Sequence, residues 1–469
     1  MSVSELAAAV GAQLDEGIDG SVIVSGSVRL DSRLVQPGDV FVAVPGERHD
    51  GHDFLSEVRE MGAVAAIVTD PAATGGVLPL VGVEDETVAL GRLAAHVRDQ
   101  LVGIRVLAIT GSSGKTTTKD LLAATLAGFE DTVAAPGSFN NDVGLPMTVL
   151  EAETSTRYLV LEMGARAAGD IARLCRIVRP DVGIVLNVGS AHVGEFGSRD
   201  LIGEAKGELV EGLAPQGVAV LNADDPVTAA MSSRARGRVL TFGLESGAEL
   251  RGTRVELDDL GWPSFDVEFD GEKVRVRLRA VGMHQVANGL AVIGGCLAVG
   301  ISLVAAAAAL EQARVGSPWR MEVIRTVGGA VVINDAYNAN PESMSAALRA
   351  LVAVAGGSET CAVIGTMREL GELSADAHRD IGRLAGRLGV NRVVAVGEEA
   401  RPVLAGLDDL VEWSGTAEFA ADCDEALGLL RGSGTAGAVV LVKASRALGL
   451  ERLALDLVET HGGPVRISD

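Results

Sequence analysis

The sequence predicts an α/β protein divided into three domains. Three observations lead there. The chain has 469 residues, and a domain typically takes about 150. Short, continuous apolar runs recur between helical stretches, the pattern of parallel strands covered on both faces. That pattern breaks once, at Asp266–Phe269 and Lys273–Leu278, where polar and apolar residues alternate around Asp270-Gly271 as in an antiparallel hairpin.

Along the chain, Val40–Val44 and Ala65–Val68 read as short strands among turn-rich stretches, and Thr87–Leu101 as the helix leading out of them. Val106–Thr110 is an apolar run entering the glycine turn Gly111–Lys115, with helix-like Thr116–Leu126 after it. Tyr158–Met163, Val182–Asn187, Val218–Asn222 and Val239–Phe242 continue the buried-strand series, and the hairpin adds an antiparallel edge. Residues 284–314 are Ala-rich and helical. Past Ser317-Pro318 a second, Rossmann-like αβ series starts with Val331–Asn334, Cys361–Ile364, Val393–Val396 and Val439–Val442. Boundaries near residues 102 and 315 are expected, giving domains 1–101, 102–314 and 315–469.

Composition narrows the function classes. With 63 acidic against 40 basic residues the net charge is −23, which argues against generic binding to nucleic acid or to an anionic membrane surface. An anionic substrate would therefore need a local cluster of donors. The 59 glycines form no long tract or tandem period, so they read as turn residues. The 4 cysteines (Cys175, Cys296, Cys361, Cys423) are far apart without a CxxC pair, as expected of core thiols in a reducing compartment. The start, MSVSELAAAVGAQL, lacks a signal-peptide pattern, and no apolar run approaches the ~18 residues of a membrane span. A cytoplasmic monomer without membrane insertion is expected.

Ala108-Ile-Thr-Gly-Ser-Ser-Gly-Lys-Thr-Thr-Thr118 carries the strongest chemical signal. A strand, a glycine turn with Lys and Thr, then a helix, forms a cradle for a nucleoside triphosphate. Backbone N–H groups of Gly111, Ser112, Ser113, Gly114 and Thr117 and the helix N-terminus would face phosphates, Lys115 would reach the β/γ oxygens, and Thr116 would ligate Mg²⁺. The spacing is shorter than GxxxxGK[ST]. Glu162 and His192 follow the next two strands, where ligands of open parallel sheets bind, and Glu162 would be a hard oxygen ligand. A strand-end Glu is also often a solvated charge, and Lys206 by itself reads as an exposed helix lysine. In the last domain, Arg320, the run Asp335-Ala-Tyr-Asn-Ala-Asn-Pro341 and Lys443-Ala-Ser-Arg446 combine charge with turn chemistry. Asp335 could accept a ribose hydroxyl. Asn-Pro equally starts a turn and Asn caps a helix, so the bland use stands beside the binding one.

Taken together these motifs resemble the Mur ligase family, whose members join amino acids or peptides to a muramoyl peptide precursor. The resemblance spans nearly the whole chain: Asp31-Ser-Arg33, Gly46–Phe54, Thr110–Thr118, Ser138–Pro146, Glu162-Met-Gly164, His192, Ala205–Glu208, Gly282–Asn288, Arg320-Met-Glu322, Asp335–Pro341, Glu369-Leu-Gly371, His378 and Lys443–Arg446. Thr366, where an acidic residue is common, and Trp319, where glycine is common, depart from the pattern.

The resemblance implies ATP, two Mg²⁺ sites and CO₂ as a lysine carbamate. Lys206 would be carbamylated, and with Glu162 and His192 would hold the second Mg²⁺, while Thr116 and Glu162 hold the first. Lys115, Lys206, His192 and Glu162 would carry catalysis. Asn140 would lie beside the nucleotide, Asn288 at the adenine, Asp335 at the ribose and Arg320 at the phosphates. Ser32, Arg33, Gly46, Asp50 and His52 would bind UDP. Tyr337, Asn338, Asn340, Ser445 and Arg446 would bind the peptide part. Asn-Asn before Gly-Leu-Pro, together with Asp335–Pro341, resembles the member that adds D-alanyl-D-alanine to UDP-N-acetylmuramoyl-tripeptide through an acyl phosphate. The diaminopimelate-adding member carries Asp-Asn-Pro-Arg, which this sequence lacks. Rival expectations are another amide ligase of this type, adding diaminopimelate or lysine, and a non-catalytic ATP-binding scaffold in cell-wall assembly.

Overall fold

The computed structural model describes residues 1–14, 18–46, 49–69, 78–189, 193–245, 247–432 and 437–465. Three sheets follow one another along it. In the first, β1 (Val28–Arg29), β2 (Val40–Val42), β3 (Ala65–Val68) and β4 (Leu80–Gly82) are all parallel and lie in sequence order. Helices Val3–Val10 and Glu86–Gln100 share a core with one of its faces, through Leu6, Val10, Leu90 and Leu93.

The second sheet holds β5 (Arg105–Thr110), β6 (Thr132–Ala134), β7 (Tyr158–Glu162), β8 (Val182–Val185), β9 (Val218–Asn222), β10 (Arg238–Gly243), β11 (Leu250–Leu257), β12 (Pro263–Phe269) and β13 (Glu272–Arg277). Their order is β13-β12-β11-β10-β9-β8-β5-β7-β6, parallel from β6 across to β11 and antiparallel at β12 and β13. The predicted hairpin is present. Asp270 and Gly271 have φ of 48° and 79°, the left-handed pair that a two-residue turn matched to strand twist requires. β5, third from the β6 edge, has β7 on one side and β8 on the other, so the winding of the chain reverses across β5. Such a switch point leaves a crevice at the strand ends.

The third sheet contains β14 (Glu322–Arg325), β15 (Val331–Asp335), β16 (Thr360–Gly365), β17 (Arg392–Val396), β18 (Thr416–Ala420) and β19 (Val439–Lys443), in the order β14-β15-β19-β16-β17-β18. Only β14 runs antiparallel. Because β19 inserts between β15 and β16, Asp335 and Lys443 end side by side although 108 residues separate them.

Two readings change in detail. The helical stretch 284–314 is two helices, Gln285–Ala298 and Leu303–Gln312. Gly300 at φ 92° ends the first, and the Ser302 side chain caps the second by accepting from the Ala305 N–H. Val182–Asn187 stops pairing at Val185, and Asn187 turns to the loop after β5.

Candidate functional site

The carboxyl ends of β5, β7 and β8 face the ends of β15 and β19 across a cavity of about 1330 Å³. The loop after β5 forms its floor. Gly114, the cap before helix Lys115–Ala127, has φ 82°, and a Cβ there would lie 2.6 Å from Asn288 Oδ1. Both the backbone and the space therefore demand glycine. Lys115 folds back so that its Nζ donates to the Gly111 carbonyl at 2.7 Å. Burial, more than any neighbouring charge, pulls its pKa down, with Glu162 and Glu369 opposing and Arg320 assisting.

Glu162 ends β7 and is 2% exposed. Its Oε2 accepts from Thr116 Oγ1 at 2.8 Å, and its Oε1 accepts from Ser138 Oγ at 2.8 Å and Asn140 Nδ2 at 2.7 Å. Arg320 Nη2 reaches across from the third sheet and donates to Thr116 Oγ1 at 2.9 Å. Two hard oxygens side by side, with the phosphate loop next to them, suit a divalent cation. Among the described residues no group of three or more His, Cys, Asp or Glu gathers as a metal cage. His192 lies outside the described residues. Lys206, on helix Arg199–Glu211, is not the exposed lysine of the bland reading: it is 3% exposed and lines the cavity. Burial, and then the nearby charge of Lys115, hold its pKa well below the ordinary lysine value.

Asn288 lies on helix Gln285–Ala298, where its Nδ2 donates to Gln285 Oε1 at 2.8 Å. Desolvation pushes the pKa of the half-buried His284 beside it down to about 4. Across the cavity, Asp335 Oδ2 accepts from Lys443 Nζ at 2.6 Å and its Oδ1 from the Met321 N–H at 3.0 Å. Lys443 also donates to the Asn338 carbonyl at 2.8 Å. Asn340 caps helix Pro341–Ala355, as turn chemistry predicts, but its Nδ2 also donates to the Ser112 carbonyl at 3.4 Å. The Arg320 guanidinium stacks over Tyr337 at 4.0 Å, and Arg446 lies 4.7 Å from the Trp319 ring and 5.4 Å from that of Tyr337. Trp319 has φ 59°, which explains why glycine is common there. Ser445 Oγ accepts from the Arg368 N–H and its N–H donates to the Thr366 carbonyl. Thr366 thus contributes its backbone, so an uncharged side chain suffices.

The five residues expected at UDP sit on the first sheet's side and do not line this cavity. Ser32 is buried, while Arg33 forms a two-pronged pair with Asp31 at 2.8 and 2.6 Å. The Gly46 N–H donates to the His49 carbonyl. Asp50 Oδ1 accepts from the His52 N–H at 3.0 Å, and His52 Nε2 accepts from the Thr69 N–H at 3.2 Å.

Sequence reasoning passed over Asn187. Its Oδ1 accepts from the Ser112 and Ser113 N–H groups at 3.1 and 3.0 Å, while its Nδ2 donates to the Ser113 carbonyl at 3.2 Å. Both ends of one amide thus fix the phosphate-loop turn. A polar residue at the end of a strand adjoining that loop was the available signal.

Comparison with known proteins fits this geometry. Residues 26–98 match the model of the Mur ligase family catalytic domain, 109–296 that of the Mur ligase middle domain, and 319–446 that of the Mur ligase glutamate ligase domain. The chain belongs to the Mur ligase family. A UDP-N-acetylmuramoyl-tripeptide--D-alanyl-D-alanine ligase of Mycobacterium tuberculosis is 44% identical, covering 93% of this chain and 92% of its own. A crystal structure of MurF from Acinetobacter baumannii superposes with TM-score 0.89 at 34% identity, covering 98% of each chain. MurF ligase from Thermotoga maritima, solved in complex with ADP, gives 0.81 at 31%, covering 93% of this chain and 98% of that one.

In this Mur ligase the Asp335–Lys443 pair makes a stability test. Lys443 is 2% exposed and Asp335 8%. Lys443→Met leaves a buried carboxylate uncompensated, and a loss of about 3–5 kcal/mol in urea unfolding is expected. Adding Asp335→Leu should recover much of that loss. Equal stability of the single variant and the parent would exclude a buried, paired Asp335.

Proposed function

We propose that the chain is an ATP-dependent ligase that joins D-alanyl-D-alanine to the terminal carboxylate of UDP-N-acetylmuramoyl-tripeptide, giving the pentapeptide precursor of peptidoglycan. One observation carries this reading. Lys115, the Thr116–Glu162 oxygen pair and Arg320 meet within one cavity that the second and third sheets build together. Relatives bearing that enzyme's name match along nearly the whole chain, including those of Mycobacterium tuberculosis and Escherichia coli.

A carboxylate does not react with an amine at neutral pH, because oxide would have to leave. Transfer of the ATP γ-phosphoryl group to the carboxylate turns the leaving group into phosphate. The dipeptide amine then attacks through a tetrahedral oxyanion, and the bond to phosphate breaks. Two anions must approach in the first step, so Lys115 and Arg320 neutralise charge on the phosphates while the loop amides hold them in line. Thr116 and Glu162 fit one Mg²⁺, and by the family pattern Glu162, His192 and a carbamylated Lys206 would hold a second. When bound, these ions screen the phosphoryl oxygens. Asn140 would orient Glu162, with Asn288 at the adenine and Asp335 at the ribose.

Residues 1–101 would bind UDP through Ser32, Arg33, Gly46, Asp50 and His52. Residues 102–314 would bind ATP, and 315–469 the dipeptide through Tyr337, Asn338, Asn340, Ser445 and Arg446. The enzyme would act as a cytoplasmic monomer, and no described helix is long and apolar enough to cross a membrane. Phosphate release with UDP-N-acetylmuramoyl-tripeptide, ATP and Mg²⁺ should require D-alanyl-D-alanine, and the product should gain one dipeptide less water. Release with diaminopimelate instead would move the chain to another member of the family. Tight ATP binding without turnover would favour a scaffold.

A further inference from the structure

The chain crosses from the second sheet to the third through residues 313–321, and both ends of that crossing are tied down. Near its start, the Ser317 N–H donates to Asp120 Oδ2 at 2.7 Å. Among the described residues this is the one hydrogen bond to the backbone of residues 315–320. Val315 packs against the second sheet's core, an apolar contact that fixes no direction. At the far end, the Met321 N–H donates to Asp335 Oδ1, on the third sheet. Trp319 and Met321 hold φ of 59° and 52°, left-handed angles that L side chains keep where the surroundings over-determine them.

Asp120 lies on helix Lys115–Ala127, four residues after Thr116, so the two side chains share one face of that helix. Its side chain is 8% exposed, and its other oxygen pairs with Lys119 Nζ at 2.7 Å. Buried Lys119 also donates to the Ala135 carbonyl and, at 2.9 Å, to the Gly137 carbonyl. Asp120 thus keeps one oxygen for its own domain and turns one to the crossing. Three residues beyond Ser317, Arg320 returns to the same helix and donates to Thr116 Oγ1 at 2.9 Å. The head of Arg320 has little else to hold it. Its guanidinium stacks on Tyr337, and its Nε is buried without a hydrogen-bond partner.

We propose that Asp120 is the positioning residue for Arg320: by fixing where the crossing leaves the phosphate-loop helix, it sets the guanidinium beside Thr116. The assignment rests on the ligase reading above, in which Arg320 neutralises charge on the phosphates. A charged group displaced by about 1 Å can lose a large part of its effect, up to about a hundredfold in rate. Asp120 touches no reacting atom and acts through the crossing alone. One rival route leaves the same carboxylate. Lys119 holds the loop that leads to Ser138 and Asn140, and both of these bond to Glu162. The two routes differ in what they predict.

The test is a double-mutant cycle in steady-state phosphate release by the full chain. Asp120→Ala should lower kcat about tenfold and Arg320→Ala about a hundredfold. The double variant should fall within about twofold of Arg320→Ala, because a tether has nothing to place once the guanidinium is gone. Asp120→Asn keeps an oxygen for the Ser317 N–H but loses the charge that pairs with Lys119, so its kcat should stay within about threefold of the parent's. Independent, multiplying losses in the double variant, or parental kcat in Asp120→Ala, overturn the proposal while the ligase reading stands. So does a loss beyond that range in Asp120→Asn, which decides the matter even if Asp120→Ala does not fold. If the parent releases no dipeptide-dependent phosphate, the ligase reading fails. The same cycle read as ATP affinity by calorimetry then decides this one, coupled losses upholding it and independent losses overturning it.

Discussion

Lys115→Met is expected to lower kcat by about a thousandfold while the protein stays folded, because it deletes the cation proposed to face the transferring phosphoryl group. The geometry makes the effect specific. Lys115 is the first residue of its helix, and its Nζ already bends over the loop to the Gly111 carbonyl. Methionine keeps most of the volume and removes the charge. Stability should move the other way or not at all. Burial depresses the Lys115 pKa, so folding pays to desolvate its ammonium, and an apolar replacement is relieved of that penalty. Lys115→Arg should not rescue activity, since a planar fork does not fit where one flexible ammonium curls under a glycine turn. Phosphate release and thermal melting, measured together, decide the matter. A melting point several degrees below the parent's would assign Lys115 a structural task instead.

The parts of this arrangement that were legible in the sequence are those that local chemistry determines. Val106–Thr110 and Cys361–Ile364 could be read as strands because both faces are buried and every position but Thr110 is apolar. The glycines of the phosphate loop and the Asp270-Gly271 turn announce their backbone angles directly. Edge strands were harder. Thr132–Ala134 is three partly buried residues paired only to β7, and Thr416–Ala420 leans on β17 alone, so neither needs a continuous apolar run. The pairings across sheets were out of reach. That Lys443 closes on Asp335, or that Arg320 meets Thr116 from 204 residues away, depends on which strand inserts where and on how two sheets face each other. Periodicity within one segment carries no such information. Trp319 illustrates the limit from the other side: it departs from the family's usual glycine, yet holds the left-handed angle and covers Arg446.

Lys206→Ala is expected to cost at least about a hundredfold in kcat, and the pattern of rescue identifies the chemistry that is lost. Two tasks are open to a buried lysine on this wall. As an ammonium it would add a third cation to Lys115 and Arg320. As a carbamate, formed when its neutral amine adds CO₂ and releases a proton, it would be an anion facing the cavity. The proposed ligase reading calls for the second. The ammonium form is opposed by burial and by the charge of Lys115, which leaves more of the neutral amine that CO₂ requires. The carbamate would sit within attraction of Lys115 instead of repulsion. Short carboxylic acids such as acetate should therefore restore part of the activity of Lys206→Ala, whereas methylamine and bicarbonate should not. In the parent protein, ¹³C-labelled bicarbonate should give a carbamate NMR signal that disappears in Lys206→Ala. Rescue by methylamine alone, with no such signal, would make Lys206 a cationic contact and leave the second metal position without its third ligand.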